Sequence, residues 1–144
     1  MKKFLLLLLV VFVSCQKESS PESALETLVS TRFSSSSRSD VLKVVTGKLK
    51  NQIESMDEKK VEHFLDSEGL KKRKLKITLK NCEKDKCFLT YVLKYDDVRP
   101  QGSKFEIEVK KIAQIDLVGE SWLVSDINNL KTYIDSKDPI DTEK

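Results

Sequence analysis

The chain has 144 residues, of which 34% are charged and 39% are hydrophobic, and its formal net charge is +3. This length allows one domain with a single core. Charges of both signs are interspersed, and no strongly basic balance supplies the clustered footprint that nucleic-acid binding needs, so no nucleic-acid partner is expected.

The first residues predict export. Lys2 and Lys3 form a positive n-region, and the apolar stretch 4–13 has the length of a secretory signal. Such a stretch is too short to cross a bilayer as a stable helix. We therefore expect a signal peptide over residues 1–14.

The end of that stretch, Phe12-Val13-Ser14-Cys15, resembles the lipobox of bacterial lipoproteins. The resemblance implies that Cys15 is acylated, becomes the first mature residue and anchors the chain to a membrane. Phe12 stands where the family usually has Leu. Residues 15–20 then form the acylated cysteine and a polar tether. Gln16 is not the Asp associated with inner-membrane retention, so the resemblance implies a cell-envelope location, in the outer membrane if the host is Gram-negative.

Three helices are predicted next. Ser20 and Pro21 read as an N-cap and a first helical residue, so one helix begins there. A second begins near Ser39, and a third follows a capping-box spacing at 55–58 and ends at Gly69. Each carries apolar residues at helical spacing: Ala24, Leu25, Leu28, Val29 and Phe33; Leu42, Val45, Leu49, Ile53 and Met56; Val61, Phe64 and Leu65.

From Lys74 the hydrophobic period changes to two, which predicts strands. In the first strand, Leu75, Ile77 and Leu79 are expected on the buried face. The second, from 87 to about 95, is apolar on both faces and is expected to be central. Lys76, Thr78 and Lys80 belong to the solvent face of the first strand.

Two more strands are predicted. One is long, begins near Lys104 and has a bulge or bend at Lys110-Lys111. The last covers 121–127, with Trp122 and Val124 on one face and Leu123 and Ile127 on the other. Residues 136–144 form a polar tail.

Cysteine usage indicates a disulfide. With Cys15 acylated, Cys82 and Cys87 remain, separated by four polar residues between two strand-like runs, so they are expected to pair across a hairpin. A C-x4-C spacing without a second Cys or His pair does not predict a zinc site, and His63 is the one histidine. No metal and no other cofactor is expected.

Three helices followed by an antiparallel sheet of about four strands indicate an α+β fold, whose sheet buries one face against N-terminal helices. This order, with a last strand such as 119–127, resembles the NTF2-like (cystatin-like α+β) superfamily over residues 21–135. The resemblance implies helices and a curved sheet that form a cone. In that superfamily the cone holds a small ligand, a catalytic Asp/His pair, or nothing.

Few residues are candidates for a site in such a cone. Asp126 and His63 are weak catalytic candidates, since Asp126 precedes Asn128-Asn129 and is read first as a turn cap. His63 is read first as a packing or solvent-facing residue. Pocket-lining candidates are Tyr91, Tyr95 and Trp122.

The densest charge is a basic run that would suit an anionic partner such as acidic headgroups. The more ordinary interpretation is protection of a sheet edge. Its residues are Lys71, Lys72, Arg73, Lys74 and Lys76.

No Gly-rich phosphate loop, nucleophile elbow or paired metal ligands occur. We therefore expect a non-catalytic, lipid-anchored envelope lipoprotein that serves as a binding or accessory module for an envelope protein or a small ligand. Two alternatives stay open. One is a small NTF2-like enzyme of isomerase or hydratase type with Asp126 or His63 as base. The other is an inhibitor that presents the hairpin tip, residues 83–86.

Overall fold

Four helices precede four strands in the computed structural model, which describes residues 19–34, 37–65, 70–98 and 102–136. The helices are α1 (Pro21–Arg32), α2 (Arg38–Leu42), α3 (Gly47–Glu54) and α4 (Glu58–Leu65). The strands are β1 (Leu70–Glu83), β2 (Lys86–Val98), β3 (Lys104–Val118) and β4 (Ser121–Ser136).

Several predictions from the sequence lie outside these ranges. They are the signal peptide, the lipobox with Cys15, most of the tether, Gly69 and the tail beyond Ser136. Within the described part of the chain, the helices are all too short or too polar to cross a membrane.

The predicted start of α1 is confirmed. Ser20 is the N-cap, and its Oγ accepts a hydrogen bond of 3.1 Å from the backbone N–H of Ser23. In return, the Ser23 Oγ accepts one of 3.0 Å from the N–H of Ser20. Pro21 follows at the first helical position, where its missing N–H costs nothing.

The prediction of one continuous second helix is wrong, because the chain leaves helical geometry between α2 and α3. Val45 forms an isolated parallel bridge with Val124, and the Thr46 N–H donates to the Val124 carbonyl at 2.9 Å. Gly47 then adopts a φ of +53°, and a Cβ there would lie 3.3 Å from the Ser125 Cβ. Edge pairing with β4 thus overrides the apolar helical stripe.

The third predicted helix is α4, but its cap differs from the expected one. The Asp57 Oδ1 accepts a 2.9 Å hydrogen bond from the Lys60 N–H, three residues on, which is N-cap geometry. Ser55 instead donates its hydroxyl to the Gln52 carbonyl at 3.0 Å and closes α3.

The strands form one open antiparallel sheet in the order β1-β2-β3-β4, so the α+β class with four strands and the central place of β2 are confirmed. Two tight turns, Lys84-Asp85 and Gly119-Glu120, lie at one end, which we call the turn end. The Leu117 N–H donates to the Asp85 carbonyl at 2.8 Å and links β3 to the first turn.

The helices cover one face of the sheet, and the core lies between the two layers. Its most deeply buried side chains come from both layers, which indicates a single core. They are Leu25, Val41, Ile53, Cys87, Leu89, Ile115 and Val124.

An irregularity in β1 changes its predicted faces. Pairing shifts between Ile77 and Leu79, so Thr78 is an extra residue relative to β2. Leu79 therefore moves to the uncovered face and is 63% exposed, contrary to expectation. Lys80 moves to the helix side, where its Nζ lies 2.6 Å from the Glu22 carboxylate of α1.

The last strand is longer than predicted and changes face at Ser125. Pairing shifts between Gln114 and Ile115, so Ile127 lies opposite buried Ala113 and Asp126 opposite Gln114. The predicted grouping of Ile127 with Leu123 is therefore wrong.

An irregularity also occurs at the predicted position Lys110-Lys111, but the extra residue is Leu130 of β4. Lys111 itself stays in register with Tyr91 of β2. The strand thus continues through Asn128 and Asn129 to Ser136, where the sequence predicted a turn.

Candidate functional site

The apolar, helix-facing register of β3 is interrupted by one lysine. Lys111 pairs with Tyr91 of β2 on one side and with Asn129 of β4 on the other. Its side chain is half-buried. The residues two and four positions away along β3 on the same register are all buried: Ile107, Val109, Ala113 and Ile115.

Arg32 lies in the last turn of α1, a helix that packs on β3. Its Nε donates to the Phe64 carbonyl of α4 at 2.9 Å. Its guanidinium carbon lies 4.5 Å from the Phe64 ring centroid and 5.3 Å from that of Phe33, so two rings hold the group by cation–π contact. The Phe33 ring also lies 5.7 Å from that of Tyr95.

We call Arg32, Lys111, Tyr91 and Tyr95, with the rings of Phe33 and Phe64, the Arg32–Lys111 cluster. Burial lowers the pKa of Lys111, and the positive charge of Arg32 lowers it further. Burial also lowers the pKa of Arg32, while Tyr95 and Tyr91 act to raise it. Arginine nevertheless stays protonated in proteins, so the cluster keeps that charge.

Across the ranges that the structure describes, no carboxylate pairs directly with these charges. Among the described residues, neither Arg32 nor Lys111 lies within ion-pair distance of an acid. Partly buried charge without a counter-charge is unfavourable, so the cluster is an electropositive site that an anion would stabilise.

The two tyrosines add neutral hydrogen-bond donors. Burial, opposed by Arg32, raises the pKa of Tyr91 to about 12. Burial also raises the pKa of Tyr95, against the effect of Arg32 and with a contribution from Asp97. Both hydroxyls therefore stay protonated at neutral pH. Two cations and two O–H donors are suited to hold an anion.

The predicted pocket residues divide between two places. Tyr91 and Tyr95 belong to the cluster, whereas Trp122 lines an open hollow of about 300 Å³ beside the first turns of α1. Its other lining residues are Ser19, Ser23, Ala24, Thr27, Val44, Ser121 and Leu123. The backbone N–H of Trp122 donates to the Ser19 Oγ at 3.2 Å, so Trp122 lies beside the residue that precedes the N-cap of α1.

Asp126 does not cap a turn. Its carboxylate accepts hydrogen bonds from the Lys48 Nζ at 3.0 Å, the Ile127 N–H at 2.9 Å and the Asn128 Nδ2 at 3.2 Å. Burial acts to raise its pKa, but the bonds from Lys48 and Asn128 outweigh it and the pKa is lowered. This makes Asp126 a weaker base. His63 lies in α4, and its side chain is outside the described residues.

The basic run lies on β1, which is an edge strand. Arg73, Lys74 and Lys76 are exposed there, as the edge-protection interpretation requires. Arg73 also donates to the Ser30 Oγ of α1 at 3.1 Å. The side chains of Lys71 and Lys72 are outside the described residues.

Cys82 and Cys87 are directly opposite each other in β1 and β2 and are joined by a disulfide. Their Cα atoms are 4.0 Å apart, the close spacing of a non-hydrogen-bonded antiparallel pair. Cys87 is 1% exposed, so one end of the bond lies in the core.

Sequence reasoning missed Arg32 and Lys111. The available signal was a charge at an apolar position of a regular pattern. Arg32 follows Leu25 and Leu28 at helical spacing, and Lys111 lies between Val109 and Ala113 at strand spacing. The sequence interpretation takes the pair at 110–111 as a bulge signal, and it therefore does not treat Lys111 as a charge at a core-facing position.

The fold resembles that of a SEC-C motif containing protein from Rhodopseudomonas palustris, solved in solution. The match has a TM-score of 0.58 and 9% sequence identity, and it covers 78% of this chain and 80% of that one. No family model matches the chain, and no curated protein matches it. Similarity at this identity shows a shared α+β fold and nothing about activity.

Proposed function

We propose that this protein is a lipid-anchored lipoprotein of the cell envelope, whose NTF2-like domain is a non-catalytic binding module for a small ligand. Support for the anchor comes from the N-terminal pattern: Lys2 and Lys3, the apolar stretch, and the lipobox-like residues before Cys15. In a Gram-negative host, Gln16 favours the outer membrane. The order of helices before a four-stranded antiparallel sheet supports the NTF2-like assignment.

The observation that carries the binding role is the Arg32–Lys111 cluster. Arg32 and Lys111, together with two tyrosines that stay protonated, lie on packed elements of the helix layer and the sheet, and among the described residues no carboxylate is in ion-pair contact with either cation. Proteins usually pair such charges internally, so an unpaired set is typical of a site that receives its counter-charge from a ligand.

The position of Ser19 adds to this proposal an orientation of the domain relative to the membrane. Ser19 contacts Trp122, beside the turn Gly119-Glu120, and it follows Cys15 by four residues. Four extended residues span at most about 14 Å, so an anchor at Cys15 holds the turn end near the bilayer. Lys111 lies seven residues from Val118 along β3, or about 23 Å from the turn end. The cluster is then distant from the membrane.

The same orientation weighs against an inhibitory hairpin tip, and the hydrogen bonds of Asp126 weigh against a role as base. The hairpin tip, residues 83–86, lies at the turn end, where a bilayer would hinder an inhibitory contact with another enzyme. As a general base, Asp126 is disfavoured by its three hydrogen-bond donors. A protein partner is the second candidate, because the uncovered sheet face leaves Leu79 and Phe88 63% and 42% exposed.

The anchor is tested by metabolic labelling with an alkyne fatty acid and by membrane fractionation. We expect the wild-type chain to be labelled and to need detergent for release. Cys15→Ala should lose both properties, whereas Cys82→Ser, which also removes one cysteine, should keep them. Labelling or membrane retention of Cys15→Ala at the wild-type level would refute the lipid anchor.

A further inference from the structure

We propose that the Arg32–Lys111 cluster binds the carboxylate of a small aromatic acid, an inference that rests on the proposed role in small-ligand binding. The charge of the ligand is specified by Arg32 and Lys111, and its aromatic character by the rings that pack on Arg32. Three geometric features lead to this assignment.

The first geometric feature is the terminal edge of the Arg32 guanidinium. Its Nε is used by the Phe64 carbonyl, and within the described part of the chain Nη1 and Nη2 have no hydrogen-bond acceptor. The pair of terminal nitrogens is the edge that binds a carboxylate through two parallel hydrogen bonds. Packing on Phe33 and Phe64 fixes the plane of the group before any ligand arrives.

The second geometric feature is a row of polar residues across the sheet. Tyr91, Lys111 and Asn129 lie side by side on β2, β3 and β4. Asn129 is itself oriented, since its Nδ2 donates to the Thr132 Oγ1 at 3.0 Å. A row of polar residues in an otherwise apolar register has a donor for a carboxylate oxygen at each position. Lys111 is central in that row, on the strand β3 against which α1, the helix of Arg32, packs.

The third geometric feature is the set of aromatic rings beside the Arg32 guanidinium. The rings of Phe33 and Phe64 pack on the Arg32 guanidinium, and the Tyr95 ring lies 5.7 Å from that of Phe33. An aromatic ring attached to the carboxylate gains offset or edge-to-face contacts with such neighbours. A hydrated inorganic anion gains nothing from them. The surroundings therefore favour an organic acid over free phosphate.

The test is isothermal titration calorimetry of the full-length protein in detergent with benzoate, its neutral isostere benzamide and inorganic phosphate. We expect benzoate to bind at least tenfold more tightly than either of the other two. Lys111→Met should weaken benzoate binding at least tenfold and leave benzamide unchanged. Lys110→Met, one residue away on the uncovered face, is the matched control and should bind as the wild type does.

Arg32→Gln should also lose benzoate preference, but it removes the hydrogen bond to α4 and needs a check of its thermal unfolding. Lys111→Met keeps the test decisive, because replacing a half-buried charge with an apolar chain should not unfold the domain. Equal affinity for benzoate and benzamide, equal affinity for phosphate, or unchanged benzoate binding in Lys111→Met would each overturn the proposal. These results leave the labelling of Cys15 untouched, so the anchor and the ligand assignment fail separately.

Discussion

Removal of the Cys82–Cys87 disulfide should lower stability by an amount that the loop size sets. The bond joins residues separated by five positions and therefore closes a loop of six residues. The loop-closure relation gives an unfolded-state entropy loss of about 7 cal/mol/K for such a loop, or about 2 kcal/mol at 25 °C. For a domain of about 120 residues this corresponds to a decrease in Tm of about 8 °C.

The measurement is thermal unfolding by circular dichroism with and without a reductant, alongside the double variant Cys82→Ala, Cys87→Ala. The reduced wild type keeps every atom of the side chains and isolates the bond itself. The double variant should unfold at or slightly below the reduced wild type, because Cys87 is buried and loses sulfur packing. A reductant effect below about 2 °C would refute the reasoning, since it would mean that the two-residue turn already closes this loop in the unfolded chain.

Three further effects follow from individual side chains. Lys111→Met should stabilise the domain by about 1 kcal/mol at pH 7, because a half-buried charge is removed. Since the folded-state pKa of Lys111 is lowered, this stabilisation should shrink as pH rises through that pKa toward 10.5. Urea unfolding across this pH range would measure it. Ser20→Ala should cost about 1 kcal/mol in urea unfolding by removing the α1 cap, and an unchanged midpoint would contradict that role. Asp126→Asn should cost about 0.5–1 kcal/mol at neutral pH through loss of the Lys48 ion pair. Because the folded-state pKa of Asp126 is lowered, its cost should disappear as pH falls through that pKa, and a pH-independent cost would exclude the ion pair as its source.

Local signals in the sequence predicted the strands and the start of α1, but only one of the irregularities, the one at Lys110-Lys111. The Ser20-Pro21 start and the period-two strands depend on neighbouring residues, so they were visible in the chain. The extra residues Thr78 and Ser125 were not, because a bulge is defined by the partner strand as much as by its own. Thr78 reverses the faces of the β1 residues that follow it, and Ser125 reverses those of β4 as far as Leu130, where a second extra residue restores the original alternation.

The candidate site was hidden for a related reason. Asparagine is depleted in strands, so Asn128 and Asn129 predicted a turn. Pairing with Ile112 and Lys111 nevertheless keeps both residues extended. Tertiary pairing decided their structure and placed Asn129 beside Lys111. Arg32 met Lys111 only because α1 packs on strands that come about eighty residues later in the chain.

The order of elements also has a kinetic consequence. Each strand pairs only with its neighbour in the chain, so the sheet can form one hairpin at a time, without waiting for a distant segment. The helical layer cannot complete its packing early, because Val45 pairs with Val124 and Ser19 with Trp122. A chain that emerges N-terminus first therefore exposes the apolar stripe of α1 until β4 is complete. Under the proposed export the chain crosses a membrane unfolded, and this interval is then the period of greatest exposure to aggregation and proteolysis.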